Sequence, residues 1–177
     1  MTAADLQSWH DYFVTVAQAG ATLAGLLFVG LTISLGHVIN ARGYLARGFT
    51  ALALQFEILV LGLFALVPGQ SPAALGVEFI CTGLFVLAGT QAFARSFPED
   101  ERSQVLSGRG PRAVRFVLTS VATLFPALAG LGLCRGWPYA LYLQIPAVLA
   151  AIYLSIGYAW VFAVEIPRRK EEESRKP

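Results

Sequence analysis

Five long apolar runs constrain the fold of this 177-residue chain more than any other feature of its sequence. A helix needs about 20 apolar residues to cross roughly 30 Å of hydrocarbon, and each run is long enough. No run alternates polar and apolar residues with period two, so the runs predict helices and not barrel strands. The predicted spans, numbered one to five in chain order, are residues 12–36, 48–67, 73–93, 113–134 and 139–166.

The composition also indicates a membrane protein. Hydrophobic residues make up 56% of the chain and charged residues only 14%, whereas an average soluble domain carries roughly 25% charged residues. So few charges cannot cover a surface that faces water. We therefore predict an all-α, polytopic membrane helix bundle with five transmembrane helices, formed by one domain over residues 1–167 and followed by a charged cytoplasmic tail over residues 168–177.

The connections between the spans carry turn and interface signals. Pro68-Gly69 and Gly136 each predict a turn with a glycine at positive φ. The loop 95–112 predicts a short surface helix. Two prolines inside apolar runs, Pro126 and Pro146, predict kinks in spans four and five. Aromatic residues near the starts of spans one and five predict interfacial anchors; they are Trp9, Tyr12, Trp137, Tyr139 and Tyr142.

The basic residues predict the orientation of the bundle. Twelve of the 13 Lys and Arg residues lie in segments 42–47, 95–115 and 168–176. Five spans place these segments on one side of the membrane, and Arg135 alone lies on the other. Because cytoplasmic loops are rich in Lys and Arg, the N-terminus is predicted outside and the C-terminus inside.

One face of span one carries polar or small residues along its whole length. With a rotation of about 100° per residue, eight side chains fall within about 60° of one line. One interpretation is close helix packing, which small residues permit. The other is a water-lined face, with span one lining a pore and Val29 forming an apolar constriction. The eight residues are Asp11, Thr15, Gln18, Thr22, Gly25, Val29, Thr32 and Gly36.

Further polar groups enter the predicted spans. Gln55 and Glu57 lie near the middle of span two, Glu78 in the outer third of span three and Gln144 in span five. A carboxylate in hydrocarbon costs at least a few kcal/mol, so it must take up a proton, pair or reach water. Solvation and function are both open for Glu78. For Glu57, buried hydrogen bonding, an ion or proton path and a partner contact are open.

Span five carries a weaker polar stripe, which predicts hydrogen bonds between helices. Its members are Gln144, Ala151, Ser155 and Tyr158.

Signals for catalysis, cofactors or nucleic acid are missing. Cys81 and Cys134 have no metal-ligand spacing and are predicted to fill apolar space. The sequence contains no catalytic or phosphate-binding motif, so we predict no enzyme activity, no catalytic residue, no bound metal and no cofactor. The basic residues follow a headgroup plane, which favours the lipid bilayer as partner and argues against nucleic acid.

The first forty residues carry a resemblance. Residues 9–13 (WHDYF), 24–29 (AGLLFV) and 32–35 (TISL) resemble the start of small bacterial polytopic inner-membrane proteins of uncharacterised function. This resemblance implies a multi-pass protein of the bacterial plasma membrane. It brings no activity and no functional residues.

The polar groups lead to three functional hypotheses. The first is a homo-oligomer forming a pore or ion pathway lined by span one, with Gln18, Thr22, Gly25 and Thr32 along the axis, Val29 as constriction and Glu57 as an internal protonatable group. The alternative is a non-conducting interaction or regulatory protein that docks another membrane protein through the same face. A third hypothesis is a monomeric carrier with a pocket around Glu57 and Gln144.

Overall fold

The computed structural model describes residues 8–33, 42–96 and 109–160, and the regular elements in these ranges are helices. Five of them are long and apolar enough to cross a membrane. This confirms the predicted all-α bundle of five candidate transmembrane helices. The α-helices are α1 (His10–Ile33), α2 (Arg42–Ala65), α3 (Pro72–Ser96), α4 (Arg109–Cys134) and α5 (Gln144–Trp160), with a short 3₁₀ helix (Ala140–Leu143) before α5.

Some predicted features lie outside the described residues. They are the end of span one at 34–36, residues 97–108 of the loop with the predicted surface helix, residues 161–166 of span five, and the tail at 168–177.

The turn between α2 and α3 begins two residues earlier than predicted. Leu66 N donates to Leu63 O at 3.2 Å and Val67 N donates to Phe64 O at 3.1 Å, so the chain tightens before Pro68. The residue before a proline is disfavoured in the α region, which explains why the helix stops ahead of Val67. Gly69 has φ 70°, which confirms the predicted positive-φ turn.

The end of α4 is a Schellman motif. Trp137 N donates to Gly132 O at 2.8 Å, and Gly136 N donates to Leu133 O at 3.1 Å. Gly136 adopts φ 72°, as the sequence predicts for this turn. A glycine is favoured there because the left-handed conformation carries a steric cost for residues with a Cβ.

The two prolines have different positions in their helices. Pro126 lies inside α4, where it removes one backbone donor. The expected kink within span five is replaced by a change of helix type, because α5 begins only at Gln144 after the 3₁₀ segment. Pro146 therefore falls in the first turn of α5, where a missing backbone N–H costs little.

Glycines allow the closest helix contacts in the bundle. A Cβ at Gly76 would lie 2.6 Å from Gly130 O, and one at Gly83 would lie 2.8 Å from Thr123 O. The backbones of α3 and α4 therefore touch along a seam of small residues, as is common between membrane helices. α1 packs on α2 and α5, and α2 contacts α1, α3 and α5.

The aromatic residues predicted to be interfacial meet at one end of the bundle. The rings of Trp9 and Tyr142 lie 4.9 Å apart, which joins the start of α1 to the residues just before α5. Trp137, Tyr139 and Tyr142 are exposed at this same end. Tyr12 differs from the prediction because it is half-buried against both apolar core clusters.

Candidate functional site

The polar stripe of α1 faces outward from the bundle. We define the polar stripe as the seven predicted members within the described residues, which exclude Gly36. All seven are exposed, and Val29 keeps 56% of its surface accessible. A Cβ on Gly25 would meet nothing within 4 Å beyond its own helix. No described part of the chain covers the polar stripe, which consists of Asp11, Thr15, Gln18, Thr22, Gly25, Val29 and Thr32.

The opposite face of α1 makes the contacts within the chain. Leu27 follows Gln18 by nine residues, a rotation equivalent to about 180°. A Cβ on Gly20 would lie 3.0 Å from Leu59 N, so the two backbones are in close contact. Among the described residues, helix packing within the chain therefore uses this second face, and the packing interpretation of the polar stripe requires a partner outside them. The buried residues of α1 are Phe13, Val16, Ala17, Gly20 and Leu27.

The threonine hydroxyls of the polar stripe are satisfied by their own helix. Each donates to the carbonyl oxygen four residues earlier. Thr15 donates to Asp11 at 2.9 Å, Thr22 to Gln18 at 2.8 Å and Thr32 to Phe28 at 2.8 Å. The hydroxyl oxygens keep a free accepting lone pair, so they can bind water without requiring it.

Gln18 is the member of the polar stripe whose side chain lacks a hydrogen-bond partner among the described residues. It lies about 5 Å along the axis from the midpoint of α1, well inside the predicted hydrocarbon. Its side-chain amide forms no hydrogen bond with other residues in the described part of the chain, and the residue is exposed. Moving such an amide into an apolar environment without a partner costs roughly 1–3 kcal/mol by protein mutational data. Gln18 therefore favours water or another polar chain beside α1.

Gln55 lies inside the bundle and connects α2 to α5. Its Nε2 donates to Ser155 Oγ at 2.5 Å and to Ala151 O at 3.4 Å, and all three residues are buried. These bonds confirm the predicted hydrogen bonding between helices at Ala151 and Ser155 of span five. The Oε1 atom of Gln55 is buried without a partner.

Glu57 is also buried but points in another direction. It follows Gln55 by two residues, which turns its side chain by about 200° around α2. Only 2% of its surface is accessible, and its Oε1 atom has no hydrogen-bond partner. Because α2 contacts helices on several sides, both directions lead into the protein. Glu57 therefore belongs to the interior and not to the polar stripe.

Gln144 and Glu57 lie at different heights in the bundle. The bond from Gln55 to Ala151 sets the level of α5 beside the middle of α2. Gln144 precedes Ala151 by seven residues, or about 10 Å along the axis. It is buried with an unpartnered Nε2, near the end where the Tyr12 hydroxyl is also buried without a partner. These positions do not support a single carrier pocket around Glu57 and Gln144.

Glu78 lies near the turn that joins α2 to α3. Gln70 Nε2 donates to Glu78 Oε2 at 2.5 Å, and the carboxylate is part-buried. The turn residue Gln70 thus binds the side chain of Glu78 in the following helix. This contact satisfies one oxygen of Glu78 and leaves the other able to accept from outside the chain.

Sequence reasoning missed several buried polar groups, and Thr90 and Thr123 are two of them. Thr123 is fully buried on α4 and donates to Thr119 O at 2.9 Å. The buried hydroxyl of Tyr12 was also missed, because an aromatic residue at a span start is normally an interfacial anchor. Only the packing of helices that are distant in the sequence, such as α3 on α4 beside Thr123, could have revealed these positions, because no local pattern encodes it.

Groups with metal-ligand chemistry do not gather into a metal site in the described ranges. No cluster of three or more His, Cys, Asp or Glu residues occurs there. Cys81 and Cys134 are exposed free thiols. His10 pairs with Asp11 at 3.2 Å on the exposed surface near the start of α1.

Comparison of the chain with family models, with curated proteins and with solved structures found no match in any of the three. The fold itself therefore defines the class. The chain is a multi-pass membrane protein built as a bundle of five apolar helices.

Proposed function

We propose that this chain is a homo-oligomeric integral membrane protein whose copies bring their polar stripes together around a pore or ion pathway. The observation that carries the proposal is the exposure of the polar stripe on a helix whose opposite face is already packed. Cyclic association of identical copies is the common way in which soluble proteins enclose such a face. Applied here, it would line a central axis with α1 from every copy.

Gln18 supplies the energetic reason for association. In a lipid-exposed monomer its amide would lack partners near the middle of the hydrocarbon. In an oligomer, the amides of neighbouring copies can bond to one another or to water on the axis. Hydrogen bonds between membrane helices average roughly 0.6 kcal/mol each, so a ring of several copies gains a multiple of this amount.

The order of residues along the polar stripe favours conduction. Thr22 and Thr32 keep accepting lone pairs toward the axis, and Gly25 leaves the most space. Val29 lies between Gly25 and Thr32 as a bulky apolar residue, where it would form a constriction that gates by dewetting. Glu57 would act as an internal polar or protonatable group within each copy and not as part of the pathway's lining.

The proposed setting is the bacterial plasma membrane, with the N-terminus outside and the C-terminus in the cytoplasm. Twelve of 13 basic residues fall in segments that five spans place on one side. The positive-inside rule assigns that side to the cytoplasm.

Flux measurements on purified protein in liposomes test conduction. We expect proton or monovalent-ion flux above that of protein-free liposomes, and a several-fold increase with Val29→Ala because the constriction widens. Leu149→Ala on α5 is the matched control, since Leu149 is 62% exposed but lies on another helix. Permeability equal to that of empty liposomes over a broad voltage range would contradict the pore.

A second candidate is a non-conducting protein that docks another membrane protein through the polar stripe. The satisfied threonine hydroxyls favour it, because a face of threonine methyl groups and an open Gly25 suits a dry helix contact. Gly25→Leu separates the two candidates. In the docking case it abolishes co-purification of the partner, and Val29→Ala leaves membrane conductance at background.

A further inference from the structure

A long apolar groove runs between α2 and α3 on the outside of the bundle. It consists of two adjoining cavities of about 430 Å³ and 480 Å³. Both volumes fall within the roughly 300–1,000 Å³ typical of ligand pockets. The cavities share the side chains of Phe56, Phe85 and Val86, so they form one continuous surface. No residue of α1 lines this groove, which therefore does not belong to the polar stripe.

The two ends of the groove differ in chemistry. Glu78 lines one end, where Gln70 holds its Oε2 atom. Phe49 lines the other end and stacks on Phe93 with a centroid distance of 4.2 Å and an interplanar angle of 17°. From Glu78 to Thr90 the groove extends over twelve residues of α3, or roughly 18 Å. The shape is that of a slot for an amphiphile, with one carboxylate end and one aromatic end.

The wall of the groove offers little to a polar ligand. The hydroxyl of Thr90 donates to Val86 O at 2.8 Å and to Leu87 O at 3.0 Å, so its proton is not available to an occupant. Most other lining side chains are aliphatic or aromatic. In a chain that spans the membrane, this surface opens into hydrocarbon, where acyl chains are the surrounding solvent.

We propose that this groove holds one acyl chain of a phospholipid whose headgroup ammonium binds Glu78. Side chains on a helix lean toward its N-terminus, so the carboxylate of Glu78 is directed from α3 toward the α2–α3 turn and the headgroups. Gln70 occupies Oε2 and leaves Oε1 to accept from the ammonium. A carboxylate attracts a cationic group and repels an anionic headgroup, which selects phosphatidylethanolamine over phosphatidylglycerol.

Native mass spectrometry of the full chain, released from nanodiscs of equal phosphatidylethanolamine and phosphatidylglycerol, tests the proposal. We expect a retained phospholipid, with the ethanolamine lipid favoured by about tenfold, as one charge-assisted hydrogen bond allows. Glu78→Gln is expected to remove this preference while a lipid is still retained. Equal retention of both lipids by the unmodified chain would overturn the proposal.

Filling the groove provides a second, independent test. A side chain at Gly89 has open space around its Cβ, so Gly89→Trp places a ring in the groove without a backbone clash. We expect it to reduce lipid retention several-fold. Gly157→Trp is the matched control, because Gly157 is equally open but lies on α5. If both variants keep the helical circular dichroism and retain lipid equally, the groove is not the site.

Cys81 distinguishes a lipid from a second copy in the groove. It is an exposed thiol in the lining, so two copies meeting there could cross-link through it. In a Cys134→Ser background, we expect oxidation in membranes to leave the chain without a Cys81 disulfide. An efficient Cys81–Cys81 cross-link would assign the groove to an interface between copies and overturn the lipid proposal. Neither result depends on conduction along the polar stripe.

Discussion

Two glutamines in neighbouring helices have opposite environments in this bundle. Gln55 is buried in α2 and finds partners on α5 of the same chain, whereas Gln18 faces outward from α1 with no partner among the described residues. The two hydrogen bonds that Gln55 donates form when one chain folds. No described residue satisfies the side-chain amide of Gln18, which leaves that role open to water or another chain. The comparison separates polar residues that build the fold from those that act beyond it.

The largest expected effect on stability comes from Gly20 of α1, and Gly25 on the other face of the same helix is its control. Gly20→Leu should destabilise the chain by about 3 kcal/mol or prevent folding, because its Cβ would press on the α2 backbone at Leu59. Gly25→Leu should leave unfolding unchanged or slightly improved, since its surroundings are open and leucine favours helix. Unfolding by sodium dodecyl sulfate from a mild detergent, followed by circular dichroism, measures both.

Gly25→Leu should weaken the assembly of copies although it leaves the stability of each copy unchanged. The added side chain projects from the polar stripe, so we expect the oligomer to dissociate while each copy remains folded. Light scattering in detergent measures the mass of the assembly. An oligomer unchanged by Gly25→Leu would place the contact between copies elsewhere on the surface.

The next largest effect on stability is expected at Gln55, the buried glutamine. Gln55→Leu removes the donor to Ser155 Oγ and leaves that hydroxyl buried. We expect a loss of about 1–2 kcal/mol in unfolding free energy. Gln18→Leu is the matched control on the outer face and should leave the unfolding free energy of the single copy nearly unchanged. Equal losses for the two variants would remove the distinction between inner and outer polar groups.

A smaller effect of the opposite sign is expected two residues further along α2. Glu57 has a buried carboxyl oxygen with no partner, and an unsatisfied buried group destabilises the folded state. Glu57→Leu should therefore raise the unfolding free energy by up to about 1 kcal/mol, since leucine fills a similar volume. Glu57→Gln keeps the shape and polarity and serves as control. A clear loss of stability with Glu57→Leu would mean that the carboxyl group has a partner in the folded protein.

The five spans and their turns could be predicted because the signals are local. Hydropathy over about 20 residues marks a span, and glycine at positive φ marks Gly69 and Gly136. The inward face of α1 could not be predicted, because small residues permit close packing on both sides. Gly20 and Gly25 look alike in the sequence, yet one touches α2 and the other faces outward.

The environments of Gln55 and Glu57 could not be predicted either. Glu57 follows Gln55 by two positions, which normally puts one side chain inward and the other outward. Both are buried because α2 has neighbouring helices on several sides. That arrangement depends on how distant parts of the chain pack, as does the groove between α2 and α3. The polar stripe makes its contacts with a second molecule, and the sequence of one chain does not identify that molecule.

Thr22→Val should have the smallest effect on stability, and its effect on flux distinguishes a polar stripe that contacts water from one that contacts protein. Thr22→Val keeps the side-chain volume and removes a hydroxyl that already bonds to Gln18 O. Folding and assembly should therefore change very little. If water lines the axis, the lost hydroxyl oxygen removes an accepting site and the liposome flux should fall several-fold. Thr123→Val is the matched control, because Thr123 makes the same bond to its own helix but is buried in α4. A flux that Thr22→Val leaves intact would indicate that ions do not pass along α1, and the polar stripe would then be a surface for contact with another protein.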